Sequence, residues 1–406
     1  MRIVYLHQYF NTPSMPGGTR SYEMARRLVS KGHEVNVITS SRDTNSCGTG
    51  WRVTRESGIS VHWYPVPYSN SMGFSQRVRA FVQFALAAAR RAGRMDCDLV
   101  FATSTPLTIA LPAAFAARRR GVPMVFEVRD LWPELPVAIG ALKNPVGIML
   151  ARMLERFAYR NARRVVALSP GMREGVIKAG YPARHVHVVP NSCDLDLFEH
   201  AADGGHRFRR TLDWLGDRPL VLYAGTLGAI NGVGYLVEVA AAMREILPEA
   251  RFLIVGEGRE EQTVRSKARE LGVLDETLFM MSAMPKDRMP EVLGAADVAV
   301  SLFIDLPEMW ANSANKFFDA LAAGRAVAIN YGGWQAELLT CSGAGVVLPP
   351  NDARVAAERL AGLLGDRDSC REAGLKARQL GEERFSRNRL ADELEAVLLE
   401  AASGSA

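Results

Sequence analysis

The sequence predicts an α/β protein built as two facing, doubly wound, Rossmann-like domains with a cleft between them. Three observations predict it. Short apolar runs alternate with helical patterns, as a parallel sheet wrapped by helices requires. The alternation restarts after about residue 200. A chain of 406 residues is also two domains' worth at about 150 residues each, enough for two cores without disulfide or metal staples.

Taken in order, Arg2–Leu6 is the first apolar run, and a glycine-bearing loop leads to a helix over Arg20–Ser30 that Lys31, Gly32 and His33 stop. Residues 34–39 form the next strand, and 99–102, 124–126 and 164–168 are further runs ending in polar or proline-containing turns. Residues 200–210 (HAADGGHRFRR) are polar and glycine-bearing without apolar period and read as a linker. Then Leu220–Ala224 is a strand, Gly234–Ile246 a helix, Arg251–Val255 a strand and 261–271 a helix. Residues 278–280, 298–302 and Ala326–Ile329 continue the series, and 388–401 is a periodic helix whose small polar end, 403–406, should fray. The expected domains are 1–200, 201–385 and a closing helix at 386–406 that packs back on the first.

Composition narrows the function. Apolar residues make up 48% and charged residues 23%, which excludes disordered, fibrous and disulfide-scaffold classes. Lys and Arg number 49 against 44 Asp and Glu, a net charge of +5 that fits an ordinary surface better than nucleic-acid binding. Arg90, Arg91 and Arg94, then Arg118, Arg119 and Arg120, then Arg152, Arg156, Arg160, Arg163 and Arg164 all lie in the first half. A patch facing acidic lipid headgroups is the alternative reading. Residues 77–92 hold only about ten apolar residues between basic ends, short of the ~18 to 20 that span a membrane, so a core-facing helix is expected. Five widely spaced cysteines (Cys47, Cys97, Cys193, Cys341, Cys370) show no CxxC pair, and MRIVYLHQYF enters a strand without a leader pattern. Both features point to a reducing, cytoplasmic setting without a zinc site.

Ligands of such sheets sit beyond the carboxyl ends of the strands. Gly17, Gly18, Thr19 and Arg20 open the first helix, where a close-approaching backbone and helix-start N–H groups suit a phosphate or sugar hydroxyl. LYAGTLGAING (222–232) and the turn Gly256, Glu257, Gly258 are two strand-to-helix loops suited to a diphosphate. The densest signal is EMWANSANKFFDALAAGRAVAIN (308–330). There Asn312, Ser313, Asn315 and Lys316 start a helix over 317–323, and Asp319 lies on its first turn, able to accept from two ribose hydroxyls. His7 and His62 lie in or end apolar strands and read as core histidines, although His7 and Gln8 face the cleft. Trp132, Trp310 and Trp334 flank the site; each reads as packing, with stacking on a sugar or base as the alternative.

At these residues the chain resembles the retaining glycosyltransferases of family 4, which have the GT-B architecture. The resemblance runs through GGTR, VVPNSCDLDLF (188–198), LYAGTLG, LIVGEG, AADVAVSLF and DALAAGRAVAIN, in that order. FEVRDLWPE (126–134) resembles the bacterial L-fucosamine-transferase-like subgroup of surface-polysaccharide assembly. The resemblance implies sugar transfer with retention from a nucleotide-diphosphate sugar, a UDP-sugar first, with no metal and no cofactor. The acceptor would be a glycan or a polyprenyl-diphosphate-linked one, held by the N-terminal domain, while the C-terminal domain holds the nucleotide. An acidic membrane surface is a further possible partner, nucleic acid is not, and the protein would be cytoplasmic or peripheral on the inner face.

The resemblance also distributes roles. Asp319 matches the family's second, ribose-binding glutamate, whereas the first falls on Ala311, with Glu308 out of register. Thr226 and Asn231 stand where Arg and Lys usually hold the diphosphate, which leaves Lys316 as the local cation. Arg129 and Asp130 stand where a His-Asp pair is common. The donor set is thus Gly17, Gly18, Gly225, Thr226, Gly228, Asn231, Gly256, Glu257, Ser313, Asn315, Lys316 and Asp319, the acceptor set His7 and Arg20, and the catalytic set Asp130, Arg129 and Lys316. Without a carboxylate pair, the double displacement of retaining glycosidases is disfavoured, and the acceptor hydroxyl is expected to attack on the face the diphosphate leaves. Two alternatives stand beside this reading. One is a nucleotide-sugar 2-epimerase of the same fold, disfavoured by the few carboxylates. The other is a non-catalytic nucleotide-sugar-binding protein, motivated by the missing glutamate and arginine.

Overall fold

The computed structural model describes residues 1–15, 17–41, 50–67, 72 and 74–404. Cys47 and the last two residues of the expected fraying tail lie outside them. The chain divides into two units, Met1–Pro190 with Asn388–Ala406, and Asn191–Arg387.

The first unit alternates as its apolar runs dictate. β1 (Arg2–Leu6) is followed by α1 (Arg20–Ser30) and β2 (Glu34–Ser41), then by a β3 (Arg52–Glu56) and β4 (Ile59–Pro65) hairpin and α2 (Phe74–Ala92). β5 (Leu99–Thr103), α3 (Ala110–Arg120), β6 (Met124–Val128), α4 (Glu134–Ala138) and α5 (Pro145–Asn161) come next, followed by β7 (Arg164–Ala167), α6 (Pro170–Lys178) and β8 (Val186–Val188). The eight strands lie in the order β3-β4-β2-β1-β5-β6-β7-β8. All pairings are parallel except β3 with β4. β1, β5, β6 and β7 are buried almost along their length, which is why they read as unbroken apolar runs. Strand order reverses between β1 and β5, so the crevice favoured for ligands opens past Leu6 and Thr103.

The second unit begins with α7 (Ala201–Arg209), in the stretch expected to be a linker. The glycines that suggested flexibility serve close packing instead. A Cβ at Gly205 would come within 2.1 Å of the Gly294 carbonyl carbon, and one at Gly294 within 1.8 Å of the Ala201 oxygen. Then come β9 (Leu220–Ala224), α8 (Gly234–Ile246), β10 (Arg251–Val255), α9 (Glu261–Glu270), β11 (Leu278–Met281) and α10 (Met289–Gly294), against which α7 packs. β12 (Val298–Ser301), α11 (Asn315–Ala322), β13 (Ala326–Ile329), α12 (Trp334–Ser342), β14 (Gly345–Val347), α13 (Ala353–Leu364) and α14 (Arg367–Arg384) complete it. Its six strands are all parallel, in the order β11-β10-β9-β12-β13-β14, with the reversal between β9 and β12. Val221, Phe252, Ile254, Val298, Val300 and Ala328 pack with Leu236, Ala240 and Leu360 in its core.

The last helix, α15 (Arg387–Ser403), returns to the first unit. Arg27 Nε donates to Asn388 Oδ1 at 2.7 Å, Lys31 pairs with Asp392 and Glu395 at 2.5 Å, and Arg164 pairs with Glu400 at 2.8 Å. Ser403 is helical, so the expected fraying does not begin there.

Candidate functional site

In the second unit, the loops after β9 and β10 are layered on each other. Gly225 has φ +156° and Gly256 φ +158°, and a Cβ at Gly256 would stand 1.9 Å from the Gly225 carbonyl oxygen. The Leu227 N–H donates to the Glu257 carbonyl and the Gly225 N–H to the Val255 carbonyl, both at 2.9 Å. The Gly256–Gly258 turn therefore supports the Gly225–Gly228 loop rather than forming a second, separate cradle.

Lys316 reaches that loop from the first turn of α11. A Cβ at Gly225 would fall 2.2 Å from Lys316 Cε, so in this arrangement the lysine occupies the room that the missing side chain leaves. Lys316 Nζ donates to Asn231 Oδ1 at 3.2 Å and lies 5.4 Å from the centre of the Tyr223 ring. The Asn231 Nδ2 and the Tyr223 hydroxyl both donate to the Thr226 carbonyl, at 3.0 and 2.8 Å. Burial lowers the Lys316 pKa to about 8, with Asp319 pulling the other way. A desolvated ammonium with one acceptor, beside a backbone-rich loop, is a prepared anion site.

The start of α11 adds to it. Ala314, not Ser313 or an asparagine, is the N-cap residue, and no side chain caps the helix. Asn315 is exposed on its first turn. Ser313 is buried, and its hydroxyl accepts from the Asn191 N–H at 3.0 Å. One turn on, both Asp319 oxygens accept from Lys286 Nζ at 2.7 Å, and Lys286 lies 5.5 Å from the Phe198 ring centre. Lys286 was not expected from the sequence.

In the first unit, β1, β5 and β6 bring together His7, Thr105, Arg129 and Asp130. Arg129 Nη1 lies 3.4 Å from His7 Nε2, and the Arg129 N–H donates to the Ser104 hydroxyl at 2.8 Å. Thr105, at φ +88°, donates its hydroxyl to Asp130 Oδ2 at 3.1 Å. Such a backbone in a β-branched residue is strained and marks a site held by its surroundings. Burial raises the Asp130 pKa, while Arg129 and the Thr105 hydroxyl oppose it. Gly17, at φ +119°, takes a backbone that side chains avoid, and Gly18 accepts from Asn11 Nδ2 at 3.4 Å through its carbonyl.

Arg20 is a correction. It is 3% exposed, pairs with Glu127 at 2.8 Å and donates to the carbonyls of Val189 and Pro190. Its fork is spent on tying β6 to the end of β8, so it offers nothing to an acceptor. Burial pushes the Glu127 pKa up, but Arg20, then Arg129 and the Thr103 hydroxyl, hold it below the usual value. His62, on β4, is a core histidine as expected: burial takes its pKa down to about 4, and Arg91 adds to the shift.

Residues 17–192 match the family model of the glycosyl transferase 4-like domain, and residues 206–380 that of the glycosyl transferases group 1. The chain belongs to the GT-B glycosyltransferases of family 4. It is 26% identical to colanic acid biosynthesis glycosyl transferase WcaI of Escherichia coli K12, over 73% of this chain and 74% of that one. It is 25% identical to the GDP-mannose-dependent alpha-(1-6)-phosphatidylinositol monomannoside mannosyltransferase of Mycobacterium tuberculosis, over 90% of each. In fold it is similar to sucrose-phosphate synthase of Thermosynechococcus elongatus, with a TM-score of 0.80 at 17% identity over all of both chains. Anabaena HepE, solved with UDP-glucose, gives 0.73 at 17% identity over 98% of this chain and all of that one.

The glycosyltransferase's tryptophans differ in setting. Trp334 donates its Nε1–H to the Asn312 carbonyl at 2.8 Å and packs near Phe318 and Phe385. Trp310 is 43% exposed, and Trp132 lies partly exposed between Leu131 and Pro133. A cavity of about 1000 Å³ lies at the amino ends of β9, β12 and β13. Of the arginines that line it, Arg209 donates to the Ala295 carbonyl and Arg325 to that of Ala296. Among the described residues no three His, Cys, Asp or Glu side chains stand together as a metal set.

Proposed function

We propose that this glycosyltransferase moves a sugar from a nucleotide-diphosphate donor, a UDP-sugar first, to a glycan or polyprenyl-diphosphate-linked acceptor in bacterial polysaccharide or O-antigen assembly. The reading retains configuration and uses no metal ion. The observation that carries it is Lys316, seated against Gly225 and Asn231 at the uncapped start of α11. It supplies at the loop the positive charge that Thr226 and Asn231 do not.

In this reading the diphosphate lies on the Gly225–Gly228 backbone, and Asp319 accepts from the ribose hydroxyls with Lys286 fixing its direction. The bond from the anomeric carbon to the phosphate oxygen breaks, and the acceptor oxygen bonds that carbon on the same face. The acceptor proton passes to the departing phosphate, whose charge Lys316 and the helix N–H groups stabilise. Asp130, set by Thr105 and Arg129, orients the acceptor hydroxyl. Relatives named for GDP-mannose and neighbours solved with UDP or UDP-glucose support a nucleotide-sugar donor without choosing between bases.

The test is incubation with UDP-glucose, UDP-N-acetylglucosamine, UDP-N-acetyl-L-fucosamine and GDP-mannose in the presence of glycan and polyprenyl-diphosphate acceptors, following released nucleoside diphosphate. Turnover that falls at least about a hundredfold in Lys316→Ala supports the reading. Failure to bind any of the four overturns it. Binding without turnover under every acceptor condition favours the non-catalytic alternative.

We place the enzyme peripherally on an acidic, inner membrane surface. α3 packs against both α2 and α5, and the three expose Val78, Val82 and Leu86, Leu111 and Phe115, and Val146, Met149, Leu150 and Met153. α2 faces the core, as expected, with Ala80, Phe84, Ala88 and Ala92, and a second apolar stripe of it, Val78, Val82 and Leu86, is exposed. The three helices carry ten arginines and one acidic residue, Glu155, which is buried. Apolar rows set among cations suit anionic headgroups. No described helix is long and apolar enough to cross a membrane.

A further inference from the structure

Trp310 stands on the short helical turn Pro307–Ala311 after β12, with its neighbour Met309 buried beneath. Its indole rests on bare backbone. A Cβ at Gly332 would lie 3.1 Å from both Cδ2 and Cε2 and 3.3 Å from Cε3, so the peptide approaches the face of the six-membered ring. At Gly333, with φ +82°, a Cβ would meet the Trp310 carbonyl oxygen at 2.6 Å. Two consecutive glycines thus let the loop after β13 lie flat under the indole.

The loop that carries Trp310 is also held still. Phe303 gives its N–H to Asn330 Oδ1 and takes a bond from Asn330 Nδ2, both at 2.9 Å. The Ile304 N–H donates to the Ile230 carbonyl at 3.0 Å, and the Trp334 indole N–H holds the Asn312 carbonyl. Trp310 and Phe115 are the aromatic residues among the exposed large hydrophobics of the described chain, and Phe115 belongs to the other unit. An indole backed on one side, fixed in place and left 43% exposed is a prepared apolar surface without a protein partner.

We infer that Trp310 is a stacking platform for the pyranose ring of the donor, an inference that rests on the second unit's holding the nucleotide. A pyranose presents a face of C–H groups that suits the negative face of an indole, while its hydroxyls point to the rim. Place in the fold points to the sugar. The segment that carries Trp310 is joined to the Gly228–Gly232 loop by the Ile304 N–H on the Ile230 carbonyl, and it leads directly into the start of α11 with Lys316, the group assigned to the diphosphate. Were the base stacked there instead, Trp310→Ala would weaken nucleoside diphosphate and nucleotide sugar equally, an outcome the test reads.

The test compares wild type, Trp310→Ala, Trp310→Phe and Gly332→Ala by calorimetry with UDP, UDP-glucose, UDP-N-acetylglucosamine, GDP and GDP-mannose. Wild type should bind its nucleotide sugar more tightly than the parent nucleoside diphosphate. Trp310→Ala should remove about tenfold of sugar affinity while leaving the nucleoside diphosphate within about twofold. Trp310→Phe should keep most of that increment, and Gly332→Ala, which pushes on the ring, should lose part of it. Circular dichroism matching wild type confirms that each variant is folded. The inference is overturned if Trp310→Ala keeps the sugar increment, weakens both ligands equally, or if wild type binds nucleotide and nucleotide sugar alike. Wild type that binds none of the five overturns the nucleotide site itself, a different result from loss of the increment alone.

Discussion

Lys316 holds its charge at a cost, and this gives a pH signature. Burial brings its pKa from the ordinary 10.5 to about 8. Between those values the unfolded chain keeps the proton more than the folded one, so this group's contribution to stability improves as pH rises through the window. Affinity for a diphosphate moves the opposite way, because the ammonium is lost as pH rises past about 8. Nucleoside diphosphate affinity measured from pH 7 to 9.5 should fall above pH 8 in wild type. Lys316→Met should be weaker at pH 7, by tenfold or more, and show no such limb. Lys316→Arg, whose guanidinium stays charged, should bind without the limb. A wild-type profile flat to pH 9.5 would place the phosphate away from Lys316. Asp319 offers a second residue-level check. If its carboxylate accepts from ribose hydroxyls, wild type should prefer UDP over 2′-deoxy-UDP by about tenfold, and Asp319→Ala should bind the two alike.

Among the elements, α7 shows how a glycine pair misleads and what it does instead. Gly205 has its Cβ direction filled by the α10 backbone at 2.1 Å, a contact that no rotamer change relieves. Gly205→Ala should therefore lower the unfolding free energy of the second unit by about 1–3 kcal/mol in urea titration. Exposed Gly362, with nothing within 4 Å of its Cβ direction, should tolerate alanine without loss. Gly205→Ala at wild-type stability would mean that α7 is the linker its composition suggests. The same contrast explains what was legible. β1, β5, β6, β9, β10, β12 and β13 are buried along nearly their whole length, so their apolar runs announced them. β3 is the edge strand and largely exposed, so it has no apolar run to announce it, and the turn to β4 at Ser57-Gly58, both at positive φ, went unread. β8 and β14 are three residues each, too short to show a period. In the site, glycine loops and helix starts could be seen, but partners could not. Arg20 meets Glu127 107 residues away, and Ser313 meets Asn191 122 residues away, buried contacts that no local pattern announces. Lys286 carried no signal, since nothing in PKDR foretells that it turns onto Asp319.

For the whole molecule, the net charge of +5 is less informative than its distribution. Ten arginines on α2, α3 and α5 stand without an exposed acid on those helices, around apolar side chains such as Met149, Leu150 and Met153, each more than half exposed. Charge alone would bring the enzyme near any anion, and the apolar rows add what a free anion cannot use: area to bury in the headgroup boundary. The two terms separate experimentally. Vesicles of phosphatidylglycerol with phosphatidylcholine should sediment the protein, and pure phosphatidylcholine vesicles should not. Each arginine near the surface is worth about 1 kcal/mol at low salt, so Arg152→Glu with Arg156→Glu should cut binding by tenfold or more, and raising salt toward 1 M should mimic it. Met149→Ser, Leu150→Ser and Met153→Ser together should leave the salt dependence intact while lowering binding at every salt concentration. Loss of binding in the arginine variant but not in the apolar one would reduce the contact to electrostatic attraction at a distance. Equal binding of wild type to charged and neutral vesicles would remove the acidic membrane from the proposal altogether.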